Sequence, residues 1–382
     1  MANTPICDTD TPDPWMVYHN NTYYLTFTCG DRVEIWSSPS MENFRGARKT
    51  IAWRPQPGTP WSCDLWAPEL HYLNGTWYVY LCAAHPGQGN PSHRTVLLRS
   101  ASTDPMDAHG WSFIGELDGL PDHWNIDLTV FTLNQRLYAC YSGWPPGDFS
   151  DTQQDLFLVE LATPETVLRG SMVCISRAQL PWERPEGGRR GVNEGPTWLS
   201  TPGFQGIVYS ANGSWTSDYT LGLLQFLGGN PLNPDSWWKR PVPLLISHKG
   251  LGGPFGPGHA SFITNSEKVY CIYHATERDN EGWNNRKARV LCLHPSCFQP
   301  QAQTLCCSLI NTPNRPQPQQ QPQRFQQQAP SSQYPGNTTQ YPQQQQQPPH
   351  QQQPHQQQQH RSEHLFQQFG NTLMKKARDF SS

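Results

Sequence analysis

Gly191-Val192-Asn193-Glu194-Gly195-Pro196-Thr197-Trp198 is the stretch that most directly decides the fold. It carries a single carboxylic acid after a polar loop. A Gly-Pro pair, which predicts a turn, and an apolar segment, which predicts a strand, follow it. The pattern therefore predicts that Glu194 lies where a strand begins. A single Glu in such a place is usually a solvated side chain, so its meaning depends on whether the layout recurs.

The layout recurs along the chain. The five stretches that share it are Asp13-Pro14-Trp15-Met16-Val17-Tyr18, Trp66-Ala67-Pro68-Glu69-Leu70-His71-Tyr72, Ile126-Asp127-Leu128-Thr129-Val130-Phe131, Asn193-Glu194-Gly195-Pro196-Thr197-Trp198 and Gly256-Pro257-Gly258-His259-Ala260-Ser261-Phe262. Each is followed by a turn and a second strand-like run, such as Thr76-Trp77-Tyr78-Val79-Tyr80-Leu81. The units repeat at roughly 55 to 70 residues, a spacing typical of repeat architectures. The sequence predicts an all-β fold, a five-bladed β-propeller.

The innermost strand of each propeller blade lines a central channel, so side chains at the strand starts point toward a common axis. We therefore expect Asp13, Asp127 and Glu194 to converge, with Glu69 and His259 in comparable positions in the second and fifth blades. Gathering ionisable groups in one pocket costs free energy, which indicates a functional use. The alternative is that the acids only accept hydrogen bonds from backbone amides at the axis.

Composition divides the 382 residues into two parts. Every Trp lies at or before Trp283, and this aromatic-rich part is long enough to bury a sizeable core. From about Asn311 to His360 the chain is mostly Gln, Pro and His, which cannot offset ordering entropy by burial. We predict a propeller domain at 1–300 and a disordered Gln/Pro-rich tail at 301–382. Residues 362–380 form either a short amphipathic helix or a weakly structured terminus.

Charge and hydropathy exclude some function classes. The net charge of −3 and the lack of a basic stripe with interleaved aromatics argue against nucleic-acid binding. No apolar run reaches membrane-spanning length, so no membrane partner is expected. The N-terminus shows no basic region followed by an apolar core, so no signal peptide is visible.

The motifs taken together resemble a known family. Those that carry the resemblance are Asp13-Pro14, Trp66-Ala67-Pro68-Glu69-Leu70-His71, Ile126-Asp127, Tyr141-Ser142-Gly143-Trp144, Asn193-Glu194-Gly195-Pro196, Tyr209-Ser210-Ala211-Asn212-Gly213-Ser214-Trp215, Gly256-Pro257-Gly258-His259 and Tyr273-His274-Ala275. In this order, from about Cys7 to Val290, they resemble glycoside hydrolase family 43, and its exo-acting arabinofuranosidase-like members above all. The resemblance implies a five-bladed propeller that hydrolyses α-L-arabinofuranosides or β-xylosides with inversion.

The resemblance also implies roles for the three acids. Asp13 matches the general base, Glu194 the general acid, and Asp127 the group that tunes the pKa of the acid and holds it in place. An inverting glycosidase needs one carboxylate to activate water and one protonated acid to assist the leaving oxygen. A Glu ordinarily titrates near pH 4.3, so burial or a nearby negative charge must keep Glu194 protonated.

Further positions follow from the same resemblance. Arg286 matches an arginine that hydrogen-bonds sugar hydroxyls, with Arg289 as the alternative. Trp66 and Ile126 would form the apolar walls of the sugar site and Trp215 a neighbouring platform, because the carbon face of a sugar stacks on aromatic rings. The alternative for these three side chains is blade packing. His259 matches a histidine near the channel that in some members lies near a calcium ion, so a structural Ca²⁺ held through waters is expected there and no other cofactor.

The sequence interpretation is therefore an inverting glycoside hydrolase that removes terminal α-L-arabinofuranosyl units from plant cell-wall arabinan or arabinoxylan. A β-xylosidase of the same family and a non-catalytic carbohydrate-binding propeller are the alternatives. The resemblance implies an extracellular location, although no signal peptide is visible, and we expect a monomer.

Overall fold

The structure is a computed structural model that describes residues 4–265 and 268–299 and the backbone of residues 305–306. The predicted disordered tail and the terminal helix fall outside these ranges. The described chain is all-β, and its helices are single 3-10 turns of three or four residues at Asn90–Ser92, Ala108–Gly110, Pro181–Glu183, Glu186–Gly188, Pro234–Ser236, Lys249–Leu251 and Pro295–Phe298.

The strands form five antiparallel groups, one for each repeated stretch. Group one contains β1 (Trp15–His19), β2 (Thr22–Thr26), β3 (Val33–Ser38) and β4 (Arg48–Trp53), and group two contains β5 (Cys63–Leu73), β6 (Thr76–Ala84), β7 (Arg94–Ser100) and β8 (Trp111–Glu116). Group three contains β9 (Asn125–Leu133), β10 (Arg136–Gly143) and β11 (Gln153–Thr163), with β12 (Thr166–Val167) and β13 (Val173–Ser176) pairing on β11.

Groups four and five complete the set. Group four contains β14 (Gly191–Thr201), β15 (Phe204–Ala211) and β16 (Thr220–Phe226), on which β17 (Trp237–Lys239) and β18 (Leu245–Ile246) pair. Group five contains β19 (Phe255–Thr264), β20 (Val269–Thr276) and β21 (Lys287–Leu293). The short β22 (Leu305–Cys306) pairs in parallel with β18. A short parallel contact between β11 and β14 joins groups three and four into one 11-stranded sheet.

Hydrophobic side chains pack between consecutive groups. Separate buried clusters join group one to two, two to three, three to four and four to five. A fifth cluster brings together Met16 and Leu25 of group one with Ile272 and Ala288 of group five. Burying a side chain such as Leu25, which is fully inaccessible, stabilises the fold by about 1.5–3 kcal/mol.

The N-terminal segment also pairs with the last group. The backbone N–H of Ile6 donates to the carbonyl of Ala288 at 2.9 Å, and that of Thr11 donates to the carbonyl of Arg286 at 2.8 Å. The Thr11 hydroxyl accepts from the backbone N–H of Ala288 at 2.8 Å. These bonds satisfy part of the outer edge of β21, which would otherwise expose unpaired backbone groups.

One prediction about the repeated stretch is wrong. Glu194 does not lie where a strand begins, because it is the fourth residue of the eleven-residue β14. The predicted Gly-Pro turn is a shift in the β14–β15 register between Glu194 and Thr197. The three residues before Glu194 also pair with other strands, since Gly191 and Val192 pair with β11 and Asn193 pairs with Ala211 of β15.

Replacing Thr11 with Val tests the N-terminal pairing. The change preserves the side-chain shape but leaves the buried N–H of Ala288 without its acceptor, so we expect a loss of about 1–3 kcal/mol in the free energy of unfolding, measured in urea. Thr22→Val, at the half-buried first residue of β2, removes only a 3.4 Å exposed bond to the carbonyl of Asn20, so this control should change stability by less than about 0.5 kcal/mol. Equal stabilities of the two variants would contradict this account.

Candidate active site

In every group a residue with positive φ lies at the corresponding place, within the innermost strand in groups two to five and two residues before β1 in group one. These residues are Asp13 (φ 54°), Ala67 (47°), Asp127 (56°), Gly195 (51°) and His259 (45°). In groups two to five the strand register shifts at the same point. A bulge of this kind bends the strand and re-aims a side chain, at a cost in backbone strain for residues other than glycine.

This pattern corrects the expected position of Glu69. The residue of group two that corresponds to Asp13, Asp127 and His259 is Ala67, and Glu69 lies two residues further along β5. Glu69 is buried, and its Oε2 lies 2.8 Å from Nε2 of His71. In group four the corresponding residue is Gly195, and Glu194 immediately precedes it.

The predicted site residues meet in one cavity of about 810 Å³. The eight that line it are Asp13, Trp66, Ile126, Asp127, Glu194, Trp215, His259 and Arg286. They come from all five strand groups or from the loops that follow them, so only folding brings them together. A second cavity of about 550 Å³, around Trp182, Ile246 and His248, contains none of them.

Asp13 is held as an anion by three neighbours. The hydroxyl of Thr28 donates to its Oδ2 at 2.6 Å, and Nδ1 of His259 lies 3.2 Å from its Oδ1. Nδ1 of His274 lies 3.5 Å from the same Oδ1. Burial alone would raise the pKa of Asp13, but the charge and hydrogen bond of His259, with the contacts to His274 and Thr28, lower it below its usual range. The carboxylate can therefore accept a proton.

His259 supplies a positive charge between the two aspartates of the site. Its Nδ1 lies between Oδ1 of Asp13 at 3.2 Å and Oδ2 of Asp127 at 4.0 Å. Burial opposes the charged form of the imidazole, but the two carboxylates more than offset it and raise the pKa of His259 to about 10. The backbone N–H of His259 donates to Ser210 Oγ at 2.7 Å, which fixes the bulge on which it sits.

Glu194 has the opposite character to Asp13. Burial, with the negative charge of Asp127 as the next cause, raises the pKa of Glu194 to about 7. Nε2 of Gln154 donates to its Oε2 at 3.2 Å. Asp127 is also shifted upward in pKa by burial, against the opposing effect of His259. Its Oδ2 accepts the backbone N–H of Gly195 at 3.0 Å, so it fixes the residue next to Glu194.

Aromatic rings form two walls of the cavity. Trp66 stacks on His93 with ring centroids 3.9 Å apart and packs against the cluster of Trp124, Ile126 and Trp144. On the other side, Trp215 lies 6.1 Å from the exposed ring of Trp283, and the guanidinium of Arg190 lies 5.4 Å from the ring of Trp215. These side chains both pack and line the cavity, so the two alternatives for them are compatible.

The two candidate arginines occupy different places. Arg286 lines the cavity, and its Nη1 lies 2.7 Å from Nε2 of His274, while it also donates to the carbonyls of Gly282 and Ser214. Arg289 is not among the lining residues and lies 3.6 Å from Glu277. The geometry therefore favours Arg286.

Comparison with known proteins identifies the family. The family model described as Glycosyl hydrolases family 43 matches residues 2–300. The chain belongs to this family. It is 31% identical over 271 residues to an extracellular exo-α-(1→5)-L-arabinofuranosidase of Streptomyces chartreusis, an alignment that covers 69% of this chain and 80% of that protein.

Two further relatives extend the comparison. Identity is 31% over 268 residues to α-L-arabinofuranosidase 43 of Humicola insolens, covering 69% of this chain and 54% of the relative. The chain thus spans about half the length of that relative. The crystal structure of an α-L-arabinofuranosidase from Lactobacillus brevis superposes with a TM-score of 0.67 at 27% identity, covering 74% of this chain and 90% of that one.

Sequence reasoning missed three residues of this family 43 site. Thr28 and Gln154 contact Asp13 and Glu194 directly, and His274 links Arg286 to Asp13. His274 lies in one of the motifs that carried the family resemblance, which was the available signal. Thr28 follows β2 and Gln154 lies near the start of β11, neither in a distinguishing sequence pattern, so only the fold reveals their role.

The calcium ion expected near His259, held through waters, remains a prediction. In its protonated form the imidazole of His259 has no lone pair for a cation, so it would not be a direct ligand. Within residues 4–265 and 268–299, no group of three or more His, Cys, Asp or Glu side chains is placed to hold a metal.

The part of the chain that the structure describes contains no helix with the length and apolarity needed to cross a bilayer.

The charge state of His259 is open to direct measurement. We expect ¹⁵N NMR of its imidazole to report the protonated form through pH 8, with a midpoint near pH 10. An unfolded histidine titrates near pH 6.5, so the stabilisation from this proton is complete below about pH 6.5 and is lost as the pH rises toward 10.

Asp13→Asn should lower the His259 midpoint, because it removes the nearer carboxylate. Glu116→Gln, an exposed change on β8, is the control and should leave the midpoint where it is. A midpoint near 6.5 in the unmodified protein would contradict the proposed charge balance.

Proposed function

We propose that residues 1–300 form a closed five-bladed β-propeller and that residues 301–382 are a Gln/Pro-rich tail, although β22 within that range pairs with β18. A closed ring is supported by the apolar clusters, which join each strand group to the next and, in the fifth cluster, join group five to group one. The backbone bonds from Ile6 and Thr11 to β21 tie the first residues of the chain to the last group. In such a ring the bulged inner strands face the common axis, where the cavity lies.

We propose that the protein is an inverting glycoside hydrolase that releases terminal α-L-arabinofuranosyl units from plant cell-wall arabinan or arabinoxylan. The observation that carries the proposal is the pairing of a carboxylate with lowered pKa, Asp13, and a carboxyl with pKa near 7, Glu194, in one cavity. The names of the relatives favour arabinose over xylose.

In the proposed mechanism Asp13 removes a proton from a water molecule, whose oxygen attacks the anomeric carbon. The bond from that carbon to the leaving oxygen breaks, and Glu194 donates its proton to this oxygen. The attack inverts the anomeric configuration, so α-linked arabinose leaves as the β-anomer. His259 keeps Asp13 deprotonated before the reaction, and Asp127 keeps Glu194 protonated and in position.

The other lining residues would bind the sugar. Arg286, held by His274 and two backbone carbonyls, presents donors to hydroxyl groups. Trp66 and Ile126 offer an apolar wall for one face of the pentose, and Trp215 lies where a neighbouring unit would extend. Extracellular action is part of the proposal, supported by two Streptomyces relatives named as extracellular. A monomer is proposed as well.

Proton NMR of arabino- and xylo-oligosaccharides mixed with the protein tests this function. We expect β-arabinose to appear first. Glu194→Gln should lower turnover by about 10²–10⁴-fold because it removes the proton donor, and Asp13→Asn should do the same because it removes the base. Glu116→Gln is the control and should keep full activity.

Each outcome of that experiment has a definite meaning. Release of xylose would favour the β-xylosidase, and chemical-shift changes without hydrolysis would favour a carbohydrate-binding propeller. Normal turnover in folded Glu194→Gln would overturn the role of Glu194.

Asp127→Asn should move the alkaline limb of the pH–rate profile to lower pH. The asparagine retains an oxygen for the N–H of Gly195 but removes the negative charge that helps to raise the pKa of Glu194 to about 7. Glu194 then loses its proton at lower pH, and the acid form needed for catalysis disappears earlier. The measurement is kcat/KM against pH, and an unmoved alkaline limb would contradict this role for Asp127.

A further inference from the structure

A buried ion pair lies behind the strand that carries Glu194. Glu183, at the end of a 3-10 turn, is fully inaccessible to solvent, and Nζ of Lys239 lies 2.8 Å from its Oε1. Its Oε2 accepts the backbone N–H groups of Gln179 and Leu180, each at 2.8 Å. Neither charged residue lines the cavity of the candidate active site.

Both members of this pair hold Asn193, the residue before Glu194. Nδ2 of Asn193 donates to Oε1 of Glu183 at 3.0 Å, and Oδ1 of Asn193 accepts from Nζ of Lys239 at 3.1 Å. Ser176 Oγ donates to the same Oδ1 at 2.9 Å, and Ser142 Oγ donates to the Asn193 carbonyl at 2.8 Å. Asn193 has no accessible surface, so these bonds meet no competition from water.

Glu194 is therefore fixed from both sides along the backbone. The residue after it, Gly195, donates its N–H to Asp127, and the residue before it is held by Glu183 and Lys239. A buried ion pair gives little net stability compared with packed apolar residues, so stability alone does not account for this one. Proton donors must be held to within about 0.5 Å of their working geometry.

We propose that Glu183, acting with Lys239 through Asn193, is a positioning residue for the general acid Glu194. The inference rests on the proposed function, because it requires Glu194 to donate a proton to the leaving oxygen. Replacing a residue that only aligns this donor should slow hydrolysis when the leaving oxygen needs a proton, and should have little effect on the rate when it does not.

Two substrates separate these cases. The leaving group of an arabino-oligosaccharide is a sugar alkoxide, which must be protonated as it departs. The leaving group of 2,4-dinitrophenyl α-L-arabinofuranoside is a stable phenolate, which departs without acid assistance. We expect Asn193→Ala to lower kcat on the oligosaccharide on the order of 10- to 100-fold and to leave kcat on the dinitrophenyl substrate close to that of the unmodified enzyme.

Glu183 variants should show the same selectivity in graded form. Glu183→Gln retains an oxygen for Asn193 but loses the charge facing Lys239, so its loss should be smaller than that of Glu183→Ala. Glu34→Gln is the control, since Glu34 on β3 is, like Glu183, a carboxylate in a salt bridge, but its partner is Arg32 and it belongs to another strand group. It should leave the ratio of the two rates unchanged.

Equal losses on both substrates would overturn the proposal, because a general structural defect affects both. Unchanged oligosaccharide turnover in folded Asn193→Ala would overturn it as well, and this variant decides the matter if the Glu183 variants do not fold. If the unmodified protein hydrolyses neither substrate, the proposed function itself is wrong. Hydrolysis of both by the unmodified protein, with equal losses in the variants, rejects only the positioning role.

Discussion

Three carboxyl groups and one imidazole lie close together at one cavity, where their burial makes their charges interact strongly. The carboxylates of Asp13 and Asp127 face His259 and favour its protonated form. The negative charge of Asp127 also disfavours ionisation of the Glu194 carboxyl group. Buried like charges cannot all ionise, so one acid keeps its proton while another stays an anion. The separation of acid and base follows from this balance, and the hydroxyl of Thr28 adds to the stabilisation of the Asp13 anion.

The backbone makes that balance possible. A residue of left-handed conformation at the corresponding place in or just before each inner strand directs Asp13, Asp127 and His259 toward one cavity. The strain is tolerated because hydrogen bonds lock each bulge, as Asp127 does for Gly195 and Ser210 for His259. Clusters of apolar side chains pack between the strand groups. A strand that shifted its register to relieve the backbone strain would lose this packing.

The repeated stretches predicted the five strand groups well, because alternating apolar residues and turn signals are local properties. The same local reasoning misplaced the start of the strand at Glu194 and matched Glu69 to a position that Ala67 occupies. Both errors have one cause: a bulge is not distinguishable from a turn without knowledge of the strand opposite. The sequence did not predict the roles of Thr28 and Gln154 for a related reason, because their partners, Asp13 and Glu194, lie in other parts of the chain.

By itself, the sequence determined the all-β repeat, the acids that each repeat carries and the likeness to family 43. The tertiary structure decided which of these groups meet, that Arg286 rather than Arg289 lines the cavity, and that two nearby carboxylates favour the protonated form of His259. The physical reason is that strand formation depends on neighbours in the chain. Charge state and convergence depend on burial and on distances between residues that are far apart in sequence.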